Sequence, residues 1–263
     1  MSHKMTTKRE IQKFINGQLA TTHDEIVTEF PLTLFVNDTE FATMVCTPTH
    51  LDELVIGFLA SEGVIRFKDD IKEMSIDESK GFAYITLHTE MTTSQQLHSK
   101  RFIGSCCGKS RQFYFHNDAR TAKTSTAQTT LTPNQCILLM KKMQEESIVF
   151  QETGGVHNAA LCTPEEIIVS RTDIGRHNAL DKLYGHSLLH SFSVRDKIIV
   201  FSGRISSEVL LKAAKLGVGI VLSKSAPTEL AIKLAEDLNI TTVGFIRGES
   251  FNVYTHPDRI ISN

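Results

Sequence analysis

Along the first half of the chain, apolar and polar positions alternate in short runs, the pattern of strands that bury one face. IQKFI (11–15) and EIVTEF (25–30) follow one another across a turn at Asn16-Gly17, and LTLFV (32–36) meets EFATMV (40–45) at Asn37-Asp38. Both dipeptides suit tight antiparallel hairpins. The period then lengthens: Leu51, Leu54, Val55, Phe58 and Leu59 recur every three or four residues. This predicts a helix over about 50–62, capped by Thr49, ended by Gly63 and packed on the sheet. IKEMSI (71–76) and FAYITLHT (82–89) read as another hairpin, and RFIGS (101–105) leads into a pair of adjacent cysteines. Residues 116–132 are polar and read as a linker.

Beyond Thr132-Pro133, which open a helix, the rhythm changes. Short β-branched runs at 165–170, 197–202, 218–223 and 240–246 alternate with helices predicted over 176–190, 205–216 and 226–238. Val209, Leu210, Ala213 and Leu216 mark one buried helix face, and Leu230, Leu234 and Leu238 another. Such alternation predicts βαβ units and a mostly parallel sheet. The expected organisation is a β-rich domain over 1–118, with the cysteines near its end, and an α/β domain over 131–263.

Composition narrows the function classes. In 263 residues, Lys plus Arg (28) nearly balances Asp plus Glu (30), so global charge favours neither nucleic acid nor a membrane surface. No apolar run of membrane-spanning length and no secretion signal is found, and five cysteines without framework spacing suit a reducing compartment. The expectation is a cytoplasmic protein.

The most reactive stretch is Gly104-Ser105-Cys106-Cys107-Gly108-Lys109-Ser110-Arg111. A thiol attacks or carries sulfur as its anion, nearby cations favour that anion, and glycines leave room for a partner. The spacing excludes a P-loop, whose glycines need four residues between them where this run has three. It does not match a tyrosine-phosphatase loop, because Cys106 and Cys107 precede Arg111 by five and four positions and no His leads the pair. Zinc would require spaced pairs, whereas Cys46, Cys136 and Cys162 stand singly. The alternative is that Cys106 and Cys107 are structural thiols.

A second candidate lies where the parallel strands end, the edge on which α/β proteins bind ligands. Arg171, Arg204, Lys224 and Arg247 follow the four strands, and helix N-termini such as Ser206-Ser207 add favourable dipoles. Four cations on one rim point to a phosphorylated or nucleotide-like ligand. His157, in Gly154-Gly155-Val156-His157-Asn158, is expected near the start of a short helical segment, and neither it nor His177 is assigned a proton-transfer role.

With these residues in view, the chain resembles the FdhD family of sulfur carrier proteins over nearly its whole length. The resemblance rests on the cysteine loop, Thr153 to His157, Asp173 to Lys182, Ser202 to Glu208, and Phe245 through Tyr254. It implies a cytidine-deaminase-like, three-layer α/β domain after the β-rich part. It also implies a task, in which sulfur from a cysteine desulfurase is held as a cysteine persulfide and delivered to the molybdenum cofactor of formate dehydrogenase. Relatives bind the bis(molybdopterin guanine dinucleotide) form of that cofactor, and the matching segment here is Phe245, Ile246, Arg247, Gly248, Glu249 and Ser250.

Many relatives carry C-G-x-C-G, but here Gly104 stands at the first cysteine position and Cys107-Gly108 match the second. Cys107 is therefore the expected catalytic persulfide carrier, with Cys106 left between two roles, sulfur relay and resolution of the persulfide. No H-x-E is followed by the P-C-x-x-C that completes the zinc deaminase signature, so hydrolytic deamination and a metal site are not expected. The expected partners are the desulfurase, formate dehydrogenase and a second copy in a homodimer, with no nucleic acid and no membrane. The competing reading is a nonenzymatic chaperone that holds the molybdenum cofactor while its cysteines serve structure alone.

Overall fold

The structure, a computed structural model, describes residues 4–89, the backbone of 101–103, residue 122 and residues 124–261. The chain opens with a two-stranded hairpin, β1 (Thr6–Ile15) and β2 (Gln18–Val27), that pairs with no other strand among the described residues. Asn16 and Gly17 take φ 52° and 85°, the two left-handed positions that a two-residue hairpin turn demands. Asn37 and Asp38 do the same at φ 47° and 61° between β3 (Phe30–Val36) and β4 (Thr39–Cys46).

Strands β3 and β4 join β5 (Ile71–Asp77), β6 (Phe82–Leu87) and β7 (Arg101–Ile103) in a five-stranded sheet of order β5-β6-β3-β4-β7. Helix α1 (Leu51–Ser61) covers it, burying every residue except Asp52. A helix buried all round needs cover on both sides. Leu54, Val55, Phe58 and Leu59 belong to the sheet's core, while the opposite face of α1 meets a helix from the second half. The N-cap of α1 is His50 at φ 53° rather than Thr49, and no side chain caps the end. Gly63 ends the turn at φ 72°, as its lack of a Cβ predicts.

The second half follows α2 (Pro133–Glu145) and the short α3 (Ile148–Thr153). Thr132 and Gln135 form a reciprocal capping box at the start of α2. A six-stranded sheet of order β13-β12-β11-β10-β8-β9 comes next. It comprises β8 (His157–Cys162), β9 (Ile167–Asp173), β10 (Ile198–Phe201), β11 (Ile220–Ser223), β12 (Thr241–Arg247) and β13 (Ser250–Thr255). The four strands read from the sequence, β9 to β12, all run one way. Two more run against them: β8, inserted between β9 and β10, and β13 at the edge, so the sheet is mixed. The glycine pair before His157 disguised β8, in which His157 is the first strand residue rather than part of a helix.

Helix α2 packs on one face of this sheet, against Ala160, Cys162, Ile198, Val200 and Leu222. The other face carries α4 (Arg176–Leu189), α5 (Ser207–Leu216) and α6 (Glu229–Asp237). Strand β10, Ile198 to Phe201, is apolar throughout because both its faces are covered. In α6 the buried face is Ala231 and Ala235, flanked by partly buried Leu234 and Leu238, while Leu230 points outward. The expected linker is in part fixed: Ser125 and Ala127 are buried, and the Ser125 amide donates to the Leu238 carbonyl.

The two halves meet through α1 and α4, which approach to backbone contact at glycines. A Cβ on Gly57 would stand 1.7 Å from the Asp181 carbonyl oxygen, and one on Gly185 1.8 Å from that of Glu53.

Candidate functional site

The end of β4 and the end of β9 are fastened by one buried polar cluster. Asp173 Oδ2 accepts from the Thr47 amide (3.0 Å), the Thr47 hydroxyl (2.9 Å) and Lys182 Nζ (2.7 Å). Its Oδ1 accepts from the Gly175 amide (2.8 Å) and Asn178 Nδ2 (2.9 Å), which also donates to the Val45 carbonyl. Lys182 donates further to the Thr47 hydroxyl and the Thr172 carbonyl. The side chains of Lys182 and Asp173 are both 0 % exposed, so two buried charges survive only because their hydrogen-bonding capacity is filled.

This junction bears on the cysteine loop. Strand β7 runs parallel to β4, with Ile103 opposite Met44. It therefore stops one residue before Val45, the start of the segment tied to Thr172, Asp173 and Asn178. Residues 104–110, including Cys106 and Cys107, lie outside the described residues.

Burial removes the other cysteines as nucleophiles. Cys46, Cys136 and Cys162 are buried, and burial pushes the thiols of Cys136 and Cys162 up to about 12, and that of Cys46 higher still. None is a thiolate at neutral pH.

The strand-end rim exists, with one change of membership. Arg171 belongs to the junction: its Nε and Nη2 donate to Glu53 Oε2 (2.5 Å) and Oε1 (2.6 Å), and His186 Nδ1 lies 2.8 Å from the same Oε1. Burial alone would raise the Glu53 pKa, yet these hydrogen bonds hold it below its ordinary value. Arg204 and Arg247 are exposed on the rim, and Lys224 reaches Gln144 Oε1 at 3.2 Å. Arg176 takes the place of Arg171. Its Cβ stands 3.5 Å from the position a Gly203 Cβ would occupy, and its Nε is buried without a partner among the described residues. His177 Nε2 lies 3.1 Å from Glu208, bridging the starts of α4 and α5.

Phe245 to Ser250 form one unit at this edge: the end of β12, a two-residue turn with Gly248 at φ 56°, and the start of β13. Phe245 sits at φ 55° within a register shift of the β12–β13 pair, a strained bulge that turns its ring outward, and the Arg247 guanidinium lies 5.3 Å from that ring. Arg247, Gly248, Glu249 and Ser250 are exposed. Ile246 is buried at 2 % exposure beneath α2, so only its backbone is left to face a ligand.

His157 is held neutral. Burial lowers its pKa from 6.5, and the positive charge of Arg176 lowers it further. A lowered folded-state pKa means that the unfolded chain binds the proton more readily, so this contribution to stability is present above 6.5 and is lost as the pH falls. The urea midpoint should drop between about pH 8 and pH 5.5, and His157→Gln should shrink that drop. An unchanged pH profile in the variant would refute the assignment.

The sequence did not announce Thr47, Asn178 or Lys182 as junction residues. The available signal was Asn178 and Lys182, four positions apart on a buried helix, but their partner Thr47 is 135 residues from Lys182.

Two sheets joined through a tight helix pair, with a cationic strand-end rim beside the junction, define a mixed α/β protein with a β-rich N-terminal part. The chain belongs to the FdhD/NarQ family, whose family model matches residues 27–261. It is 62 % identical to the sulfur carrier protein FdhD of Halalkalibacterium halodurans, covering 100 % of this chain and 98 % of the relative. It is also 62 % identical to the FdhD of Bacillus subtilis, covering 99 % of each, and 57 % identical to that of Staphylococcus aureus strain MRSA252, covering 100 % and 99 %. The fold matches a crystal structure from Desulfotalea psychrophila, provisionally described as a formate dehydrogenase accessory protein. The TM-score is 0.79 at 22 % identity, over 98 % of this chain and 100 % of that one. Among the described residues no helix is long and apolar enough to cross a membrane.

Proposed function

We propose that the protein is a sulfur carrier that serves formate dehydrogenase in the cytoplasm. It accepts sulfur from a cysteine desulfurase as a persulfide on Cys107 and passes it to the bis(molybdopterin guanine dinucleotide) molybdenum cofactor. The coarse part, sulfur carriage, is the role in the name of relatives that match this chain over its full length. The observation that carries the finer part is the chemistry of the thiols. Three of five are buried with strongly raised pKa values, which leaves Cys106 and Cys107 as the available carriers.

In the loading step the Cys107 thiolate attacks the outer sulfur of the donor's persulfide. A new sulfur–sulfur bond forms on Cys107, and the donor's cysteine leaves as a thiolate. The molybdenum cofactor is cargo. Arg204 and Arg247 suit its phosphates, the outward Phe245 ring offers a flat face to a guanine, and the exposed Gly248-Glu249 turn leaves the edge open.

Intact mass after incubation with a desulfurase and cysteine tests the carrier. Wild type and Cys106→Ala should gain one sulfur, Cys107→Ala should gain none, and Cys107→Ala should fail to activate formate dehydrogenase. Full activation by Cys107→Ala would instead mean a cofactor-holding chaperone with structural cysteines. The seat is tested separately, since Arg204→Ala and Arg247→Ala should each weaken guanine nucleotide binding about tenfold, the loss of one charge-assisted hydrogen bond.

A further inference from the structure

The last turn of α4 brings two imidazoles to one carboxylate. His186 and the capping residue His190 are four positions apart, which puts both rings on one face of the helix. The ring centroids lie 4.4 Å apart with the planes tilted by 47°, so the rings are neighbours without being stacked. Glu53 reaches across from α1. One ligand atom from each of Glu53, His186 and His190 lies within 4.8 Å of those of the other two.

The hydrogen bonds fix the tautomer of His186. Glu53 Oε1 accepts from Arg171 Nη2 at 2.6 Å and lies 2.8 Å from His186 Nδ1. A bare Nδ1 would set two lone pairs against each other at that distance, so Nδ1 carries a hydrogen and donates. The 3.1 Å approach of Arg171 Nη2 to the same nitrogen is then that of two donors sharing one acceptor. In the neutral ring the free lone pair is on Nε2, to which no hydrogen bond is made among the described residues.

A carboxylate on one ring nitrogen and an open lone pair on the other is the arrangement of a metal-binding histidine, because the carboxylate fixes the tautomer and raises the basicity of the ligand. The ring is placed before any ion arrives. Arg171 Nε holds Glu53 Oε2 at 2.5 Å, and Phe192 packs edge-on to His186 with centroids 6.4 Å apart. The guanidinium charge is met by Glu53 and stands on the Nδ1 side of the ring, away from Nε2. The His186 side chain is 21 % exposed and His190 is exposed, which gives an ion a path in. The free carbonyls at the end of α4 also favour a cation.

We propose that His186, through Nε2, and His190 bind a divalent transition metal of the Zn²⁺ type, with Glu53 as the carboxylate behind His186 and water completing the coordination. Two imidazoles select this class over Mg²⁺ and Ca²⁺, which take oxygen ligands. The site revises the expectation of no metal, which rested on the deaminase signature alone. It is separate from the cysteine pair and the cationic rim, and through His186 and Glu53 a bound ion ties the end of α4 to α1.

Calorimetric titration of Zn²⁺ alone into the untagged full-length chain tests this, with Cys106→Ser/Cys107→Ser as the parent so that those thiols do not compete. The parent should take up one equivalent in the micromolar range, and Mg²⁺ should give no binding heat. His190→Ala, a change at an exposed position, should weaken Zn²⁺ binding about a hundredfold, the loss of a two-point attachment. Glu53→Gln keeps both imidazoles and should weaken it about tenfold. Saturating Zn²⁺ should raise the melting temperature of the parent and not that of His190→Ala. A parent that takes up no Zn²⁺, or a folded His190→Ala variant with unchanged affinity, overturns the proposal.

Discussion

Replacing Asp173 with alanine should cost the protein about 3–5 kcal/mol of folding stability, the usual penalty for stripping one partner from a buried ion pair. The change leaves the fully buried Lys182 ammonium without its counter-charge and takes the acceptor from the Thr47 and Gly175 amides and from Asn178. Total stability is commonly about 5–15 kcal/mol, so the variant should unfold at much lower urea concentration or fail to accumulate. Asp173→Ala combined with Lys182→Met should recover part of the loss, since no charge is then buried alone. A single variant whose urea midpoint matches wild type would show that the pair contributes little.

Gly185→Ala should be nearly as damaging, at about 3 kcal/mol, for a reason that involves no charge. The added methyl would lie 1.8 Å from the Glu53 carbonyl oxygen, and backbone cannot swing aside as a flexible side chain can. Helices α1 and α4 would have to separate, stretching the Arg171–Glu53 and Lys182–Thr47 bonds together. Gly63→Asn is the matched control: its site is open, and asparagine tolerates the left-handed backbone there. A melting temperature for Gly185→Ala within a degree or two of that control would show that the helix contact is loose.

The fold was legible at most positions where a local rule operates, the Thr49 cap of α1 being an exception. The hairpin dipeptides at Asn16-Gly17 and Asn37-Asp38 and the Thr132-Pro133 helix start are set by a few adjacent residues, and each appears where its chemistry places it. Strand β8 was hidden because Asn158-Ala159-Ala160-Leu161-Cys162 lacks the β-branched bulk that marks a strand, and β13 because its alternation follows a glycine turn only two residues long. The rim was legible as a set of strand ends, but not the fate of Arg171. A cation facing a ligand and a cation bound to Glu53 look alike in sequence, because their partners lie more than a hundred residues away.

The contacts that close the junction also govern the order of events during synthesis. Thr47 and Asp173 are separated by 126 positions, which a ribosome translates in about 6 to 25 s. Through that interval the α1 face that will meet α4 has no cover, and Glu53 waits for Arg171. The nascent chain therefore displays a greasy helix long before its shield emerges. Slowed elongation over codons 50–170 should raise its dependence on chaperones more than the same delay placed after codon 190.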